Sequence, residues 1–364
     1  MQGNSLKILF AGGGTGGHLF PGIAIADEIR TARPNAEILF AGTKDRIEAR
    51  VVPERGYEFM PIWISGFKRK SVLGNILLPL KVMVAVLQSY RMIRKFNPDV
   101  VVGTGGYVCG PVVFAASLRG VPTLIQEQNS FPGITTRLLA SRVDEVHVTF
   151  SATQRYLKRT DNVKVSGNPT RSALGTVTRS ESTGYFHLDA TLKTLLVFGG
   201  SLGASSINSA VERVIDRLKA LSLQIIWQTG EADYERLRSH ESQQIKIYKF
   251  IDRMENAYAA CDLALCRAGA TTVAELMRAA VPAVLVPYPF AAADHQTENA
   301  RSLVENGAAV LVKDNQLNAL LLPTLSQLLD DPSRLKAMSE RAHSLARPDA
   351  AATLARAVLR LAKG

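Results

Sequence analysis

The fold of this chain is decided by the stretch KILFAGGGTGGH at residues 7–18. A short apolar run there ends in glycines, and a helical pattern follows. A second stretch of the same form, TLLVFGGSLGA, lies at residues 194–204. Glycine lets the backbone approach an anion closely, and the N–H groups and dipole of the following helix stabilise that anion. Two such stretches predict two nucleotide-binding-type domains facing one cleft.

Length and composition agree with this prediction. At 364 residues the chain is long for a single core. Its 46% hydrophobic and 21% charged residues are typical of a folded soluble protein. The cysteines, Cys109, Cys261 and Cys266, lack zinc-site or paired spacing, so we expect buried free thiols in a reducing compartment. The first strand follows Met1 so closely that no room is left for a signal peptide, which predicts a cytoplasmic protein.

The positive charge lies mainly in the first half of the chain. Residues 1–170 carry 21 Lys and Arg against 12 Asp and Glu, whereas residues 171–364 carry 22 against 20. A basic first half suggests an anionic partner, such as nucleic acid, a phosphorylated substrate or an acidic lipid surface. Because no nucleic-acid recognition motif accompanies the charge, we expect no nucleic-acid partner.

Strand and helix patterns alternate along most of the sequence. The predicted strands cover residues 6–11, 37–41, 99–102, 123–126, 145–148, 163–166, 194–198, 224–228, 245–248, 263–266 and 283–286. The predicted helices cover 18–31, 204–220, 271–280, 294–306 and an alanine-rich tail after Pro348. This alternation predicts parallel sheets with ligands beyond the carboxyl ends of the strands. Both glycine stretches and a third, GTGGY at 103–107, fall there, and the turn formers at 167–169 mark the domain boundary.

Residues 65–96 interrupt the alternation. They combine the basic triplet Lys68, Arg69 and Lys70 with an apolar stretch over 72–87 and a basic end. The apolar stretch is too short to span a bilayer, which needs about 20 apolar residues. One interpretation is a buried helix with a solvated basic end. The other is a surface helix whose apolar face enters an anionic membrane interface, and both stay open from the residues alone.

The first glycine stretch favours a phosphate-type ligand over a dinucleotide. Gly12, Gly14 and Gly17 have the dinucleotide spacing, but the first acidic residue after the second strand is Asp45, too far along to bind a ribose in that manner. No lysine followed by serine or threonine completes a P-loop. His18 follows the glycines at the mouth of a helix. A passive cap is one reading, but beside such a loop the side chain is well placed as a general base.

A second group of candidates lies around the sequence CRAGATTVAEL at 266–276. A strand ends there, glycine turns the chain, and a helix begins near Thr271, whose N-terminus can hold a diphosphate. Glu275 lies one turn further, and its carboxylate suits a ribose diol. The alternative is a glutamate that only interacts with its own helix dipole.

The polar residues His295, Gln296 and Asn299 lie near a further helix start, and amide groups of this kind bind sugar hydroxyls. No D-x-D motif for a metal-bound diphosphate follows a strand. We therefore expect no metal and no other cofactor, with helix dipoles and Arg171 stabilising a leaving diphosphate.

Seven motifs in chain order carry a specific resemblance. They are GGGTGGH, GTGGY with V-x-G-P, QEQN at 126–129, GNPTR at 167–171, GGSLGA, CRAGATTVAE and HQTENA. Together they span about residues 6–348 and closely resemble the MurG family of bacterial UDP-N-acetylglucosamine:lipid I N-acetylglucosaminyltransferases. The resemblance implies a GT-B fold, in which two Rossmann-like domains face a central cleft. It implies an acceptor and membrane-associating domain over 1–167, a UDP-sugar domain over 168–346, and a final helix over 347–364 that packs on the first domain.

The resemblance also implies roles for residues at matching positions, with His18 as the catalytic base. The implied substrate-binding residues are Thr15, Gly16, Gly17, Asn129, Arg171, Ser201, Ile251, Ala270, Thr271, Thr272, Val273, Ala274, Glu275, Gln296 and Asn299. In this assignment residues 15–17 lie near the transferred sugar and diphosphate, and Asn129 and Arg171 contact the donor. Ile251 borders the uracil, residues 270–275 hold diphosphate and ribose, and Gln296 with Asn299 binds the sugar. Two residues depart from the pattern, because Leu202 and His295 stand where some relatives carry glutamine.

The implied reaction is an inverting transfer of N-acetylglucosamine from UDP-N-acetylglucosamine to the 4-hydroxyl of the muramoyl sugar of lipid I, giving lipid II and UDP in peptidoglycan synthesis. The implied location is peripheral, on the cytoplasmic face of the bacterial cell membrane, with residues 65–96 on the anionic surface. One alternative is a related glycosyltransferase with another lipid acceptor, such as diacylglycerol. Another is a nucleotide-sugar sensor, which needs no base.

Overall fold

The structure is a computed structural model that describes residues 5–66, 77–171, 173–200 and 202–363. The chain divides into two compact units. Unit 1 comprises Met1–Pro169 and Pro348–Gly364, and unit 2 comprises Thr170–Arg347. Of the predicted features, Ser201 and the triplet Lys68, Arg69 and Lys70 lie outside the described residues.

Unit 1 is built on a parallel sheet of seven described strands. These are β1 (Lys7–Gly12), β2 (Glu37–Gly42), β3 (Glu58–Pro61), β4 (Val100–Gly105), β5 (Thr123–Glu127), β6 (Glu145–Val148) and β7 (Val163–Val165), in the spatial order β3-β2-β1-β4-β5-β6-β7. The helices are α1 (Gly16–Ala32), α2 (Ile47–Glu54), α3 (Leu78–Phe96), α4 (Gly106–Leu118) and α5 (Ile134–Leu139). The strand order reverses between β1 and β4, and ligands of such sheets bind outside the carboxyl ends at that point.

The apolar run of β1 forms a central strand because both faces of the sheet are covered. Ile8 and Phe10 pack into one apolar cluster, whereas Leu9 and Ala11 pack into another. All four side chains are fully buried. A near-continuous apolar run is what a strand buried on both faces requires.

Unit 2 repeats the plan with six described parallel strands. These are β8 (Lys193–Phe198), β9 (Leu223–Gln228), β10 (Ile245–Tyr248), β11 (Leu263–Cys266), β12 (Ala283–Leu285) and β13 (Ala309–Leu311), in the order β10-β9-β8-β11-β12-β13. The helices are α6 (Arg179–Tyr185), α7 (Ser205–Arg213), α8 (Ile215–Lys219), α9 (Glu231–Leu237), α10 (Met254–Ala260), α11 (Ala270–Arg278), α12 (His295–Val304), α13 (Leu317–Leu329) and α14 (Pro332–Leu345). The strand order here reverses between β8 and β11.

The last helix, α15 (Ala350–Leu361), belongs to unit 1. Its Leu354 and Val358 are fully buried in the same apolar cluster as Ile25 and Ile29 of α1. Near its end, Arg360 Nη2 donates to both carboxylate oxygens of Glu145 at 2.7 and 2.8 Å. The helix is therefore held by an apolar stripe and by one bidentate charge contact.

The prediction of two α/β domains with parallel sheets is confirmed, and so is the burial of the three cysteines as free thiols. Two local predictions were wrong, and two strands were not predicted. The helix predicted over 204–220 is two helices, because the chain kinks between α7 and α8 at Val214, whose ψ is 8°. The sequence GTGGY is not a separate loop, since β4 runs to Gly105 and α4 begins at Gly106. The strands β3 and β13 were missed.

The described part of residues 65–96 does not fit a buried helix. Leu80, Met83 and Leu87 lie along one side of α3 and are 45%, 55% and 52% exposed. The buried residues of this helix are Ala85, Ser89, Met92 and Ile93. Within the described ranges, no helix is both long and apolar enough to cross a membrane.

Candidate active site

The first glycine loop joins β1 to α1 at the point where the strand order of unit 1 reverses. Gly14 has a φ of +83°, a conformation that favours glycine. A Cβ on Gly12 would lie 2.0 Å from Thr104 Oγ1, and one on Gly13 would lie 2.5 Å from Glu48 Oε1. Side chains of β4 and α2 therefore enclose the loop. Since α1 begins directly after it, the positive end of that helix dipole lies at the same place.

His18 occupies the first turn of α1 and is half-buried. Its Nδ1 lies 3.1 Å from Thr15 Oγ1. A Cβ on Gly105 would come within 2.8 Å of His18 Cδ2, and one on Gly106 within 3.3 Å of Nδ1. The paired glycines of GTGGY thus leave space for the imidazole ring. In the tautomer whose Nδ1 carries the proton, Nδ1–H donates a hydrogen bond to the Thr15 hydroxyl. Nε2 is then unprotonated and can accept a proton, as a general base must.

A carboxylate that the sequence analysis did not single out lies against the same loop. Glu48 of α2 is 1% exposed. Its Oε2 accepts a hydrogen bond from the Gly14 N–H at 3.0 Å. Its Oε1 accepts from the backbone N–H and the hydroxyl of Thr43 at 3.1 and 2.9 Å. Nothing in the sequence separates Glu48 from the exposed Glu54 of the same helix.

A second missed carboxylate organises the connection after β5. Glu127 is 4% exposed. Its Oε1 accepts from the backbone N–H of Asn129 at 3.0 Å, and its Oε2 accepts from the Gly133 N–H and the Thr136 hydroxyl at 2.9 and 2.7 Å. Glu127 therefore fixes the backbone that carries Asn129, a predicted donor contact. Its place between Gln126 and Gln128 in the motif QEQN was the available signal.

In unit 2 the predicted diphosphate and ribose residues lie in the first turns of α11. This helix begins at Ala270, and Thr271 and Thr272 follow, half-buried, where N–H groups and the helix dipole favour an anion. Val273 and Ala274 are buried. Because the side chains of Val273 and Ala274 are buried, the groups that could contact a ligand are the backbone N–H groups of the helix start and the two half-buried threonines.

Glu275 already has two partners within unit 2. Its Oε1 accepts from Arg171 Nε at 3.0 Å, and its Oε2 accepts from the Tyr258 hydroxyl at 3.1 Å. Burial raises the pKa of the Glu275 carboxyl, whereas the Arg171 charge and the Tyr258 hydroxyl act in the opposite direction. Two residues that were predicted to contact the donor separately are thus paired with each other.

The second glycine loop is connected to Ile251 through one glutamine. Gln228, at the end of β9, donates from Nε2 to the Gly200 carbonyl at 2.9 Å and accepts the Ile251 N–H at 2.8 Å. Ile251 is 3% exposed, whereas Leu202 in the loop is 88% exposed. Leu202 therefore presents an apolar surface in this loop.

The structure gives Gln296 and Asn299 different surroundings. Gln296 is half-buried, and its Oε1 accepts the Tyr288 N–H at 2.9 Å. Asn299 is fully buried, and its Nδ2 donates to the Ala268 carbonyl at 3.1 Å, which braces the turn before α11. Their predicted contacts to the sugar stay predictions. Within the described ranges, no cluster of His, Cys, Asp and Glu could hold a metal ion.

Comparison with known proteins identifies the family. The pattern of the glycosyltransferase family 28 N-terminal domain matches residues 8–148, and that of the C-terminal domain matches residues 194–354. A relative from Salinibacter ruber, named UDP-N-acetylglucosamine--N-acetylmuramyl-(pentapeptide) pyrophosphoryl-undecaprenol N-acetylglucosamine transferase, is 48% identical, with 100% of this chain and 98% of the relative covered. A relative from Chlorobium limicola with the same name is 47% identical, with 98% and 100% covered. The chain belongs to the MurG family.

Solved structures agree with this assignment. The crystal structure of MurG from Acinetobacter baumannii is 29% identical and covers 98% of this chain and 99% of its own, with a TM-score of 0.80. A glycosyltransferase from Rickettsia africae, at 10% identity and full coverage of both chains, has a TM-score of 0.65, which shows a shared fold only. The two-unit architecture is thus that of the MurG family and of more distant glycosyltransferases.

Proposed function

We propose that this chain transfers N-acetylglucosamine from UDP-N-acetylglucosamine to the 4-hydroxyl of the muramoyl sugar of lipid I, with lipid II and UDP as products. The observation that carries the proposal is the match, over essentially full length, to relatives named for this transfer at 39–48% identity. The acceptor is the class of substrate that those names print, a pyrophosphoryl-undecaprenol-linked sugar peptide. The reaction places the chain in peptidoglycan synthesis.

The proposed chemistry is one displacement with inversion. His18 Nε2 takes the proton of the acceptor 4-hydroxyl while that oxygen forms a bond to the anomeric carbon. The bond from this carbon to the UDP oxygen breaks, and its electron pair goes to the diphosphate. In support, the Thr15 hydroxyl lies 3.1 Å from His18 Nδ1 and can hold the ring in the tautomer that leaves Nε2 unprotonated.

The donor is proposed to bind unit 2. The start of α11 at Ala270, Thr271 and Thr272 would face the diphosphate, whose growing charge the helix N-terminus stabilises. Ile251 would border the uracil. Ser201, Gln296 and Asn299 complete the proposed donor set, and Ser201 lies outside the described residues.

The ribose would bind Glu275 while this carboxylate keeps its hydrogen bonds from Arg171 and Tyr258. Each carboxylate oxygen keeps a second lone pair for a ribose hydroxyl while Arg171 and Tyr258 remain bound. We therefore propose that Arg171 acts on the donor mainly by holding Glu275. On unit 1, residues 15–17 would serve the transferred sugar and the acceptor diphosphate, and Asn129 would contact the donor.

The proposed membrane contact is the exposed side of α3, which places the enzyme peripherally on the cytoplasmic face of the cell membrane. Leu80, Met83 and Leu87 supply apolar area, and Arg91 and Arg94 follow in the last turns. Such a surface suits an interface with anionic headgroups. Replacing the three apolar residues by serine should reduce sedimentation with phosphatidylglycerol vesicles, whereas Leu320→Ser, an exposed leucine of unit 2, should not. Equal sedimentation of both variants would remove α3 from this role.

A UDP-release assay with a short-chain lipid I analogue tests the function. Release with lipid I but not with diacylglycerol supports the proposal, and the reverse would identify the alternative lipid glycosyltransferase. UDP-N-acetylglucosamine binding without any product in a single turnover would indicate a sensor. His18→Ala should lower kcat by about 10²–10⁴-fold, the usual scale for loss of a general base, with UDP affinity unchanged. Near-normal turnover would exclude His18 as the base.

A further inference from the structure

Glu48 is a buried carboxylate whose described contacts are all hydrogen-bond donors. It lies on α2, is 1% exposed, and has both carboxylate oxygens engaged within unit 1, so we expect it to act through the residues that it holds. Its two oxygens have separate tasks. Oε1 accepts both contacts from Thr43, at the end of β2, and Oε2 accepts the contact from Gly14 in the first glycine loop. The side chain thus connects two neighbouring strand ends of unit 1.

The surrounding backbone is shaped around this carboxylate. A Cβ on Gly13 would lie 2.5 Å from Glu48 Oε1, and a Cβ on Gly42 would lie 2.5 Å from Glu48 Cγ. Two glycines therefore provide the space that the side chain occupies. The bond to Gly14 lies at the residue whose φ of +83° turns the loop towards α1.

We infer that Glu48 is a positioning residue for the acceptor half of the reaction, because it fixes Gly14 and thereby the start of α1 that carries Thr15 and His18. This inference rests on the proposed function. A loop fixed at Gly14 presents the helix start in one arrangement and lowers the cost of ordering it when the acceptor diphosphate binds. Glu48 accepts a hydrogen bond from the loop that is proposed to hold the acceptor diphosphate, so its effect should fall mainly on the acceptor.

Glu48→Gln should remove the hydrogen bond from Gly14 while keeping the hydrogen bonds from Thr43. The amide oxygen can stay on the Thr43 donors, where two hydrogen bonds hold it, and the amide nitrogen then faces the Gly14 N–H, donor against donor. The acceptor KM should rise so that acceptor kcat/KM falls about tenfold, the scale of one lost hydrogen bond to a charged group. The KM for UDP-N-acetylglucosamine should change much less than the acceptor KM. A purely structural role would reduce the active fraction, which lowers kcat and leaves both KM values alone.

Two controls separate the loop contact from general damage. Thr43→Val removes the hydroxyl that donates to Oε1 but keeps the Gly14 contact, so it should leave the acceptor KM near its normal value. Glu54→Gln changes an exposed glutamate of the same helix, paired to Arg50, and should have no effect. If Glu48→Gln does not fold, Glu48→Asp keeps a carboxylate for Thr43 but shortens the side chain away from Gly14, and it should show the same acceptor-selective loss.

The outcomes distinguish this inference from the function on which it rests. If the unaltered chain does not use the lipid I analogue, the proposed function fails and this inference fails with it. If the unaltered chain turns over and Glu48→Gln keeps a normal acceptor KM, or raises both KM values equally, the inference alone is overturned. An acceptor-selective rise in Glu48→Gln with a normal Thr43→Val enzyme supports it.

Discussion

Replacing Tyr258 by phenylalanine removes one hydrogen bond from the buried carboxylate of Glu275. Tyr258 is 2% exposed, so the hydroxyl that is lost lies on a buried side of Glu275 that water does not readily reach. The ring of Tyr258 packs edge-on against Phe198 at 6.0 Å between centroids, and phenylalanine keeps that contact. The change therefore removes the hydroxyl and very little else.

The expected loss follows from the geometry. A hydrogen bond to a charged group contributes about 1.5–3 kcal/mol to stability. The distance of 3.1 Å between the hydroxyl and Glu275 Oε2 is longer than is typical of a strong bond of this kind, which favours the lower part of that range, about 1.5–2 kcal/mol. For a domain of the size of unit 2, this corresponds to a fall in Tm of about 3–8 °C.

The loss should depend on pH. The Tyr258 hydroxyl stabilises the ionised form of Glu275 and so opposes the burial that raises the pKa of this carboxyl. Phenylalanine should raise that pKa further. The difference in stability between the two proteins is then complete above the pKa of Glu275 and disappears as pH falls through it, because a protonated carboxyl no longer needs this donor.

Calorimetric unfolding between pH 5 and pH 8, together with titration of UDP, measures both effects. Tyr258→Phe should also weaken UDP binding, most strongly at pH values between the pKa of Glu275 in the unaltered chain and its higher pKa in the variant, because only there does the carboxylate proposed to hold the ribose differ in protonation. Tyr185→Phe, which changes a half-exposed tyrosine of the same unit, is the matched control. A Tm for Tyr258→Phe within about 1 °C of the unaltered chain at pH 8 would refute the assignment of this bond.

Two further predictions concern the attachment of α15. Although burial alone would raise the pKa of Glu145, hydrogen bonds from Lys164, His147 and Arg360 lower it from 4.5 to about 2. These partners therefore stabilise the fold above pH 4.5, and this stabilisation is lost as pH falls towards 2. Arg360→Ala should move the midpoint of acid unfolding, followed by circular dichroism, to higher pH. Leu354→Ala removes a fully buried side chain and should lower the free energy of unfolding of unit 1 by about 2–5 kcal/mol, measured in urea, and a loss below about 1 kcal/mol would mean that α15 packs less tightly than described.

The fold could be predicted from the sequence because its main elements combine a periodic apolar pattern with glycine or proline residues that mark their ends. The run before Gly12 reads as a strand buried on both faces, and the glycines place its end. The strands β3 and β13, which were missed, lie at the edges of their sheets, have four and three residues, and are not fully buried. The kink at Val214 could not be predicted because the apolar periodicity continues through it. Where the first helix ends is decided by tertiary packing.

The site residues that belong to a local motif could be predicted from the sequence. Those whose role depends on a contact with a residue distant in sequence could not. His18 could be proposed from its place after the glycines. The pairing of Arg171 with Glu275 could not, since it joins residues 104 positions apart. Glu127 lies inside the motif QEQN, whereas Glu48 is an ordinary glutamate in the sequence, and only its burial among donors distinguishes it. A carboxylate that holds backbone and lies outside a motif leaves no local signature.

The return of α15 to unit 1 has a consequence for how the protein is made. Unit 2 is one continuous segment inserted between two parts of unit 1. A ribosome therefore delivers all of unit 2 before the residues that cover Ile25 and Ile29 of α1. The later unit can complete its core first, while the earlier one keeps an uncovered apolar stripe until α15 has been synthesised. A nascent chain stopped at residue 347 would contain all of unit 2 but lack the helix that completes the core of unit 1.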